Sequence, residues 1–230
     1  MTLTPEHLEA IRQYDTCRIA NAIETLGIRL RNEGFTAPGL KPFGAELSAI
    51  GFAVTARVKS SDIPVTGGIY SDRTDWWDHI IAIPAPRIAV FQDLDDKPGR
   101  GSFIGEIHAE ILRALGCAGV VTNGSVRDLP AVRAMGFPVF AQSTSISHAY
   151  VHMPDYGGRV EILGLSITPG DLIYADCHGV VSIPHGIAKQ LPEIAARQAR
   201  VERTIIDLCR SDPFSLEKLR SEVQNPARKE

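Results

Sequence analysis

Residues 103–140 constrain the fold of this chain more than any other stretch: F-I-G-E-I-H-A-E-I-L-R-A-L-G-C-A-G-V-V-T-N-G-S-V-R-D-L-P-A-V-R-A-M-G-F-P-V-F. Apolar residues recur with helical spacing at Ile104, Ile107, Ile111 and Leu115, and Gly116 stops the pattern. Residues 119–122 form an apolar run of strand length, which Asn123-Gly124 punctuates as a turn. Residues 126–134 predict a short second helix and residues 138–141 a second strand. Loop, helix, strand, turn, helix, strand is the grammar of an α/β arrangement.

The flanking sequence adds elements of both kinds. Residues 4–26 predict two helices, with Thr4 as cap and Pro5 in the first helical position. Their apolar faces run through Leu8, Ile11, Ile19, Ala22, Ile23 and Leu26, and Gly27 ends the second. Residues 29–41, rich in Gly, Pro and charge, continue this as an arm reaching to about residue 45. Strands are expected at 50–59 and 87–93, and a glycine loop at 95–102. Residues 160–163, 166–168, 172–176 and 180–183 predict a strand-rich stretch, with turns at Gly164, Pro169-Gly170 and His178-Gly179. Residues 185–208 are expected to be helical and 225–230 to fray. Neither a repeat nor a linker divides the chain, so residues 1–230 are expected to be one domain of mixed sheet with flanking helices.

Composition narrows the function. The chain has 230 residues, 44% hydrophobic and 22% charged, which excludes collagen-like, coiled-coil and disordered chains. A net charge of -3 supplies no field toward nucleic acid or anionic lipid, and neither partner is expected. No apolar run reaches the roughly 18–20 residues of a membrane span, and the polar first residues lack the apolar core of a signal peptide. Cys17, Cys117, Cys177 and Cys209 lie far apart with no C-x-x-C pair. Buried structural thiols in a reducing cytoplasm are the expectation.

The chemistry concentrates around two dipeptides. The glycines at 99, 101 and 105 lead straight into a helix, so the first backbone N–H groups, at Gly105, Glu106, Ile107 and His108, form an anion site at the loop mouth. Arg127 is suited to grip a carboxylate or enolate oxygen, and Asp128 to hold a hard divalent cation. The same pair serves equally as a surface ion pair or a helix cap. The glycine spacing departs from a dinucleotide-binding loop. His148 and His152 stand four apart without the glutamate of a zinc-protease helix and are expected to be structural or to touch substrate. His178 is expected to be a turn residue, and Trp76-Trp77 to be core or interface. Lys59 and Lys97 lie outside this region.

The Gly-Glu pair, the helix, G-x-x-G-V-V and the glycine turn into Arg-Asp together resemble the signature of the RraA-like family. That family includes regulators of ribonuclease activity and divalent-metal-dependent 4-hydroxy-4-methyl-2-oxoglutarate aldolases. Residues 51–55 resemble its early G-x-A-x-T strand, and residues 169–184 its late P-G-D hairpin, so the resemblance spans about residues 8–205. It implies a three-layer β/β/α sandwich of the swivelling-domain type, and a ring-like trimer or a hexamer with sites between subunits. It implies a lyase that releases pyruvate from a 4-hydroxy-2-oxo acid or oxaloacetate, or alternatively a non-enzymatic regulator binding a ribonuclease. Carried over by position, Asp128 would hold Mg²⁺ or Mn²⁺, in surroundings poor in cysteine and histidine. Arg127 would stand beside the pyruvyl oxygen, Glu106 would hold metal-bound waters, and the N–H groups of residues 105–108 would cradle the carboxylate. Glu202 would reach the site from a neighbouring subunit. Ala131 departs from the pattern, which usually has Asp or Glu three residues after the metal aspartate.

Overall fold

The computed structural model describes residues 3–43, 48–65 and 74–225. The elements, in chain order, are α1 (Pro5–Arg12), α2 (Thr16–Thr25), β1 (Lys41–Pro42), β2 (Ala49–Lys59), α3 (Asp75–Ala82), β3 (Arg87–Asp93), α4 (Glu106–Ala114) and β4 (Cys117–Val126). There follow α5 (Leu129–Ala134), β5 (Val139–Thr144), β6 (His152–Tyr156), β7 (Val160–Ile162), β8 (Leu165–Ile167), β9 (Leu172–Asp176), β10 (Gly179–Ile183), a 3₁₀ turn (Ala188–Gln190), α6 (Leu191–Cys209) and α7 (Leu216–Val223).

Strands β2, β3, β4 and β5 pair in parallel, joined by α3, α4 and α5. Parallel neighbours require such crossovers, which lay the helices on the sheet. The two ends of the long β2 have different partners: Ala49–Phe52 pairs with β9, and its last residues pair with β6. Antiparallel β9–β10 and β1 extend the two edges. A separate hairpin, β7–β8, lies across one face.

Side-chain alternation shows the layers. Ala89 and Phe91 of β3, Val120 of β4 and Val139 of β5 pack with Trp76, Ala109, Leu112 and Val132 of the helices. Their neighbours Ile88, Val90, Val121 and Phe140 face the opposite way, onto Val160, Ile162, Leu165 and Ile167 of the hairpin. Both faces are covered, so these strands read as continuous apolar runs. Helices, main sheet and second sheet make a three-layer β/β/α sandwich, not a doubly wound sheet. A third cluster joins α1, α2 and α6 to the outer face of β9–β10 through Ile11, Ile19, Ile23, Tyr174, Val181 and Leu191.

Three expectations need correction. Asn123-Gly124 is not a turn: β4 runs on to Val126 through a register shift between Thr122 and Ser125. The Asn123 side chain makes this possible by accepting from the Asp93 N–H (2.7 Å) and donating to the Asp93 carbonyl (3.0 Å), as a backbone segment would. The helix after it therefore starts at Leu129. Of the four cysteines only Cys117 is buried; Cys17, Cys177 and Cys209 are exposed. The expected frayed end falls largely at residues 226–230, outside the described residues, as do residues 44–45 of the arm.

Candidate active site

Ligands of α/β sheets collect beyond the carboxyl ends of parallel strands. Here the loops leaving β2, β3, β4 and β5 meet at that edge. Asp95, after β3, accepts from the N–H and hydroxyl of Ser60 (3.0 and 2.6 Å) and of Ser61 (3.2 and 2.7 Å), just past β2. These bonds hold its carboxyl below the usual range although burial pushes it up. Asp93, buried at the end of β3, accepts from the N–H of Gly99 (2.7 Å) and of Asp95 (3.0 Å), and burial raises its carboxyl. Gly99 has φ +90°, a conformation glycine adopts without strain, and this turns the loop back toward the sheet. The hydroxyl of Ser102, fully buried, lies 2.7 Å from the Ile104 carbonyl and 2.8 Å from that of Ser125, stitching the loop to β4.

That stitching delivers Gly105 and α4 to the end of β4. Asp128 caps α5 with φ +56°, a left-handed conformation that aspartate tolerates better than most residues. Its carboxylate makes no bond to its own helix and turns to α4, where Oδ2 accepts the Glu106 N–H at 3.2 Å. A Cβ on Gly105 would collide with that same oxygen. Arg127 Nε lies 3.2 Å from Asp128 Oδ1 and 3.3 Å from Oδ2, and a guanidinium nitrogen of Arg127 lies 2.9 Å from His148 Nδ1. Guanidinium only donates, so this imidazole nitrogen is the acceptor and the proton sits on Nε2. Burial lowers the pKa of His148, helped by Arg127 and opposed by Asp128. His108, packed on Phe103 with ring centroids 4.3 Å apart, is pushed down to about 4 by burial and by His148. Both imidazoles are neutral at pH 7.

The structure thus gathers Gly105, Glu106, Arg127 and Asp128, with Ile107 and His108 on the first turn of α4. Its first N–H groups have no acceptor within the helix, and the one at Glu106 is taken by Asp128. Glu202 is not part of this group. It lies on α6, which packs against α2, and its carboxylate is 3.8 Å from Arg18. The expectation of histidine-poor surroundings fails, because the loop after β5 lays His148 on Arg127. His152 begins β6, not a helix, and contacts the Tyr150 carbonyl. The supporting roles of Asn123 and Ser102 carried no local sequence signal, since the partners that matter, Asp93 and Ser125, lie 30 and 23 positions away.

A protein-family model described as RraA-like, Aldolase/RraA, matches residues 16–182. The chain belongs to the RraA-like family. A protein of Halalkalibacterium halodurans, provisionally named a 4-hydroxy-4-methyl-2-oxoglutarate aldolase, is 29% identical over 189 residues, 78% of this chain and 82% of its own. Two solved structures share the fold. One, an uncharacterized protein of Pseudomonas syringae, has a TM-score of 0.72 at 23% identity, covering 96% of this chain and 95% of that one. The other is Streptomyces coelicolor RraAS2, described as an unusual member of the RNase ES inhibitor RraA protein family. It has a TM-score of 0.69 at 21% identity, covering 89% and 97%. The RraA-like family thus includes both aldolase-named and inhibitor-named proteins.

Proposed function

We propose that this RraA-like protein is a divalent-metal-dependent carbon–carbon lyase that releases pyruvate from a 4-hydroxy-2-oxo acid or from oxaloacetate. One observation carries the reading: the Asp128 carboxylate is turned away from its own helix, onto the N-terminus of α4, with Arg127 against it. A helix start that receives an anion, a carboxylate that receives a cation and a guanidinium between them match the parts of a bound 2-oxo acid.

The donor set fits Mg²⁺ or Mn²⁺. Asp128 offers a hard, partly exposed oxygen beside the gap that Gly105 leaves by lacking a Cβ, and such ions accept one or two carboxylates and keep several waters. Bound there, the cation supplies Lewis acidity to the 2-oxo group.

The protein's own residues divide the remaining work. The N–H groups of Ile107 and His108, next to the Glu106 N–H that Asp128 takes, hold the substrate carboxylate and orient the 2-oxo group toward Arg127. In aldol cleavage the C4 hydroxyl loses its proton to Glu106, directly or through one water, and the C3–C4 bond breaks. The bonding pair moves onto the pyruvyl fragment as an enolate, which takes up a proton at C3 to give pyruvate. In decarboxylation the same pair is left by departing carbon dioxide, and no base is needed. Negative charge grows on the oxygen facing Arg127 as either bond breaks, so the guanidinium binds the transition state more strongly than the ground state. His148 holds that guanidinium in place without adding a second positive charge.

Pyruvate release should be measured over a panel of 4-hydroxy-2-oxo acids and oxaloacetate, with and without Mg²⁺ or Mn²⁺. Asp128→Ala should abolish both activities, and Arg127→Ala should lower kcat for both by on the order of 10²- to 10³-fold. Glu106→Gln should harm aldol cleavage more than decarboxylation. Full activity in both Arg127→Ala and Asp128→Ala would overturn the assignment. No release from any substrate would put the ribonuclease-regulator reading ahead.

A further inference from the structure

A second ligand set lies away from this site, where β9 turns into β10. Asp176 ends β9 and is buried, while Cys177 and His178 form the exposed turn. Asp176 Oδ2 accepts the Thr16 N–H at 2.8 Å. Its Oδ1 accepts from the Thr16 hydroxyl at 2.7 Å and the His178 N–H at 2.8 Å, and lies 3.1 Å from His178 Nδ1. The carboxylate thus clamps the turn onto the start of α2. Cys177 Sγ lies 3.5 Å from His178 Nδ1 and 4.0 Å from Nε2. One oxygen, one sulfur and one nitrogen all fall within 4.8 Å of one another.

These separations are informative. A tetrahedral zinc ion with bonds of about 2.0–2.3 Å has ligand-to-ligand edges of about 3.3–3.8 Å. The S–N separation of 3.5 Å is already such an edge, and the O–N separation of 3.1 Å needs only a slight opening. We propose that Asp176, Cys177 and His178 bind a borderline-soft divalent cation, Zn²⁺ above all, with water in the fourth position. Cys17 follows Thr16 on the first turn of α2, and lines one groove together with Thr36, His178 and Gly179.

Asp15, which caps α2, and Asp176 both bring carboxylates to this corner, which favours a cation there. A divalent ion bound by Cys177 displaces the thiol proton. A purely structural role accounts for Asp176 and the His178 N–H. It gives no reason for a thiol and an imidazole to share the same corner with that carboxylate. The hard-oxygen site at Asp128 is chemically separate, so this proposal stands whether or not the lyase reading holds.

Cobalt is the probe, because thiolate ligation gives it an intense near-ultraviolet charge-transfer band and tetrahedral geometry gives strong visible bands. Full-length protein, stripped with chelator and kept reduced, should take up one Co²⁺ with both signatures, and Zn²⁺ should bleach them. Cys177→Ser should remove the charge-transfer band, whereas Cys17→Ser should leave it. His178→Ala, which keeps the backbone N–H that Asp176 needs, should weaken cobalt binding by about tenfold or more. Asp128→Ala should leave the spectrum unchanged. Both turn side chains are exposed, so unaltered far-ultraviolet circular dichroism checks that the variants fold. No band in the wild type, a band that survives Cys177→Ser, or one lost only in Cys209→Ser would each overturn the proposal.

Discussion

At the scale of single residues, Gly105 tests the site most sharply. Its φ of -141° is open to any residue, so alanine brings no backbone strain, and the atoms nearest the added Cβ belong to the Asp128 carboxylate and the Arg127 stem. Gly105→Ala should therefore keep nearly the wild-type melting temperature while losing pyruvate release on the order of 10²-fold. Calorimetry and the lyase assay on one preparation check this; full activity would show that Asp128 need not sit where it does. His108 makes a separate prediction about pH. Its pKa drops from 6.5 to about 4 on folding, so the unfolded chain binds the proton more tightly. The stability this residue contributes is complete above about pH 6.5 and is lost as the pH falls toward 4, by roughly 3 kcal/mol at about 1.4 kcal/mol per unit. Urea midpoints between pH 7 and 4 should fall in the wild type and fall less in His108→Phe.

At the scale of elements, what the sequence revealed depended on how local the determining interaction was. β3 is legible because Arg87–Asp93 is an apolar run closed by Pro86 and an acidic turn. α4 is legible as a helix from the spacing of Ile104, Ile107, Ile111 and Leu115, but the face it buries is that of Ala109 and Leu112, and Ile107 is exposed. The Arg127–Asp128 pair is legible as chemistry for the same reason, being adjacent in sequence. β6 was missed because Pro154 and Asp155 look like loop; it forms because the C-terminal half of β2 lacks another partner on that side. α7 was missed because it buries no residue. The contact of Arg127 with His148 spans 21 positions and exists only through the β4–β5 pairing, so no local pattern could announce it. The length of β4 was misread because an Asn-Gly dipeptide is usually a turn, whereas Asn123 substitutes for backbone across the register shift. Asn123→Ala should accordingly cost about 1–3 kcal/mol in urea unfolding, because it strands the Asp93 N–H and carbonyl. An unchanged midpoint would mean that water replaces the amide.

At the scale of the whole molecule, the mouth of the site is more apolar than a solvated rim needs to be. Ile107, on the first turn of α4, is 73% exposed, and Ile146, in the loop after β5, is 99% exposed. Large apolar side chains beside a polar site are what a subunit interface covers. We therefore expect a trimer or hexamer, in which Glu202 of one subunit approaches Asp128 of the next. Within one chain the two sit on separate parts of the fold, Glu202 with Arg18 on the α2–α6 side. Light scattering at micromolar concentration should give a trimer or hexamer, and Ile107→Glu should shift it toward monomer. A head-to-tail ring makes each site from two different subunits, which permits a stricter test. Asp128→Ala and Glu202→Gln homomers should each be nearly inactive, because every site in them lacks one component. When the two are unfolded together in equal amounts and refolded, about a quarter of the sites receive an intact Asp128 and an intact Glu202. Activity should return to about that fraction. If the mixture stays inactive although the subunits demonstrably exchange, Glu202 does not act across the interface; a monomer by light scattering would remove the interface itself.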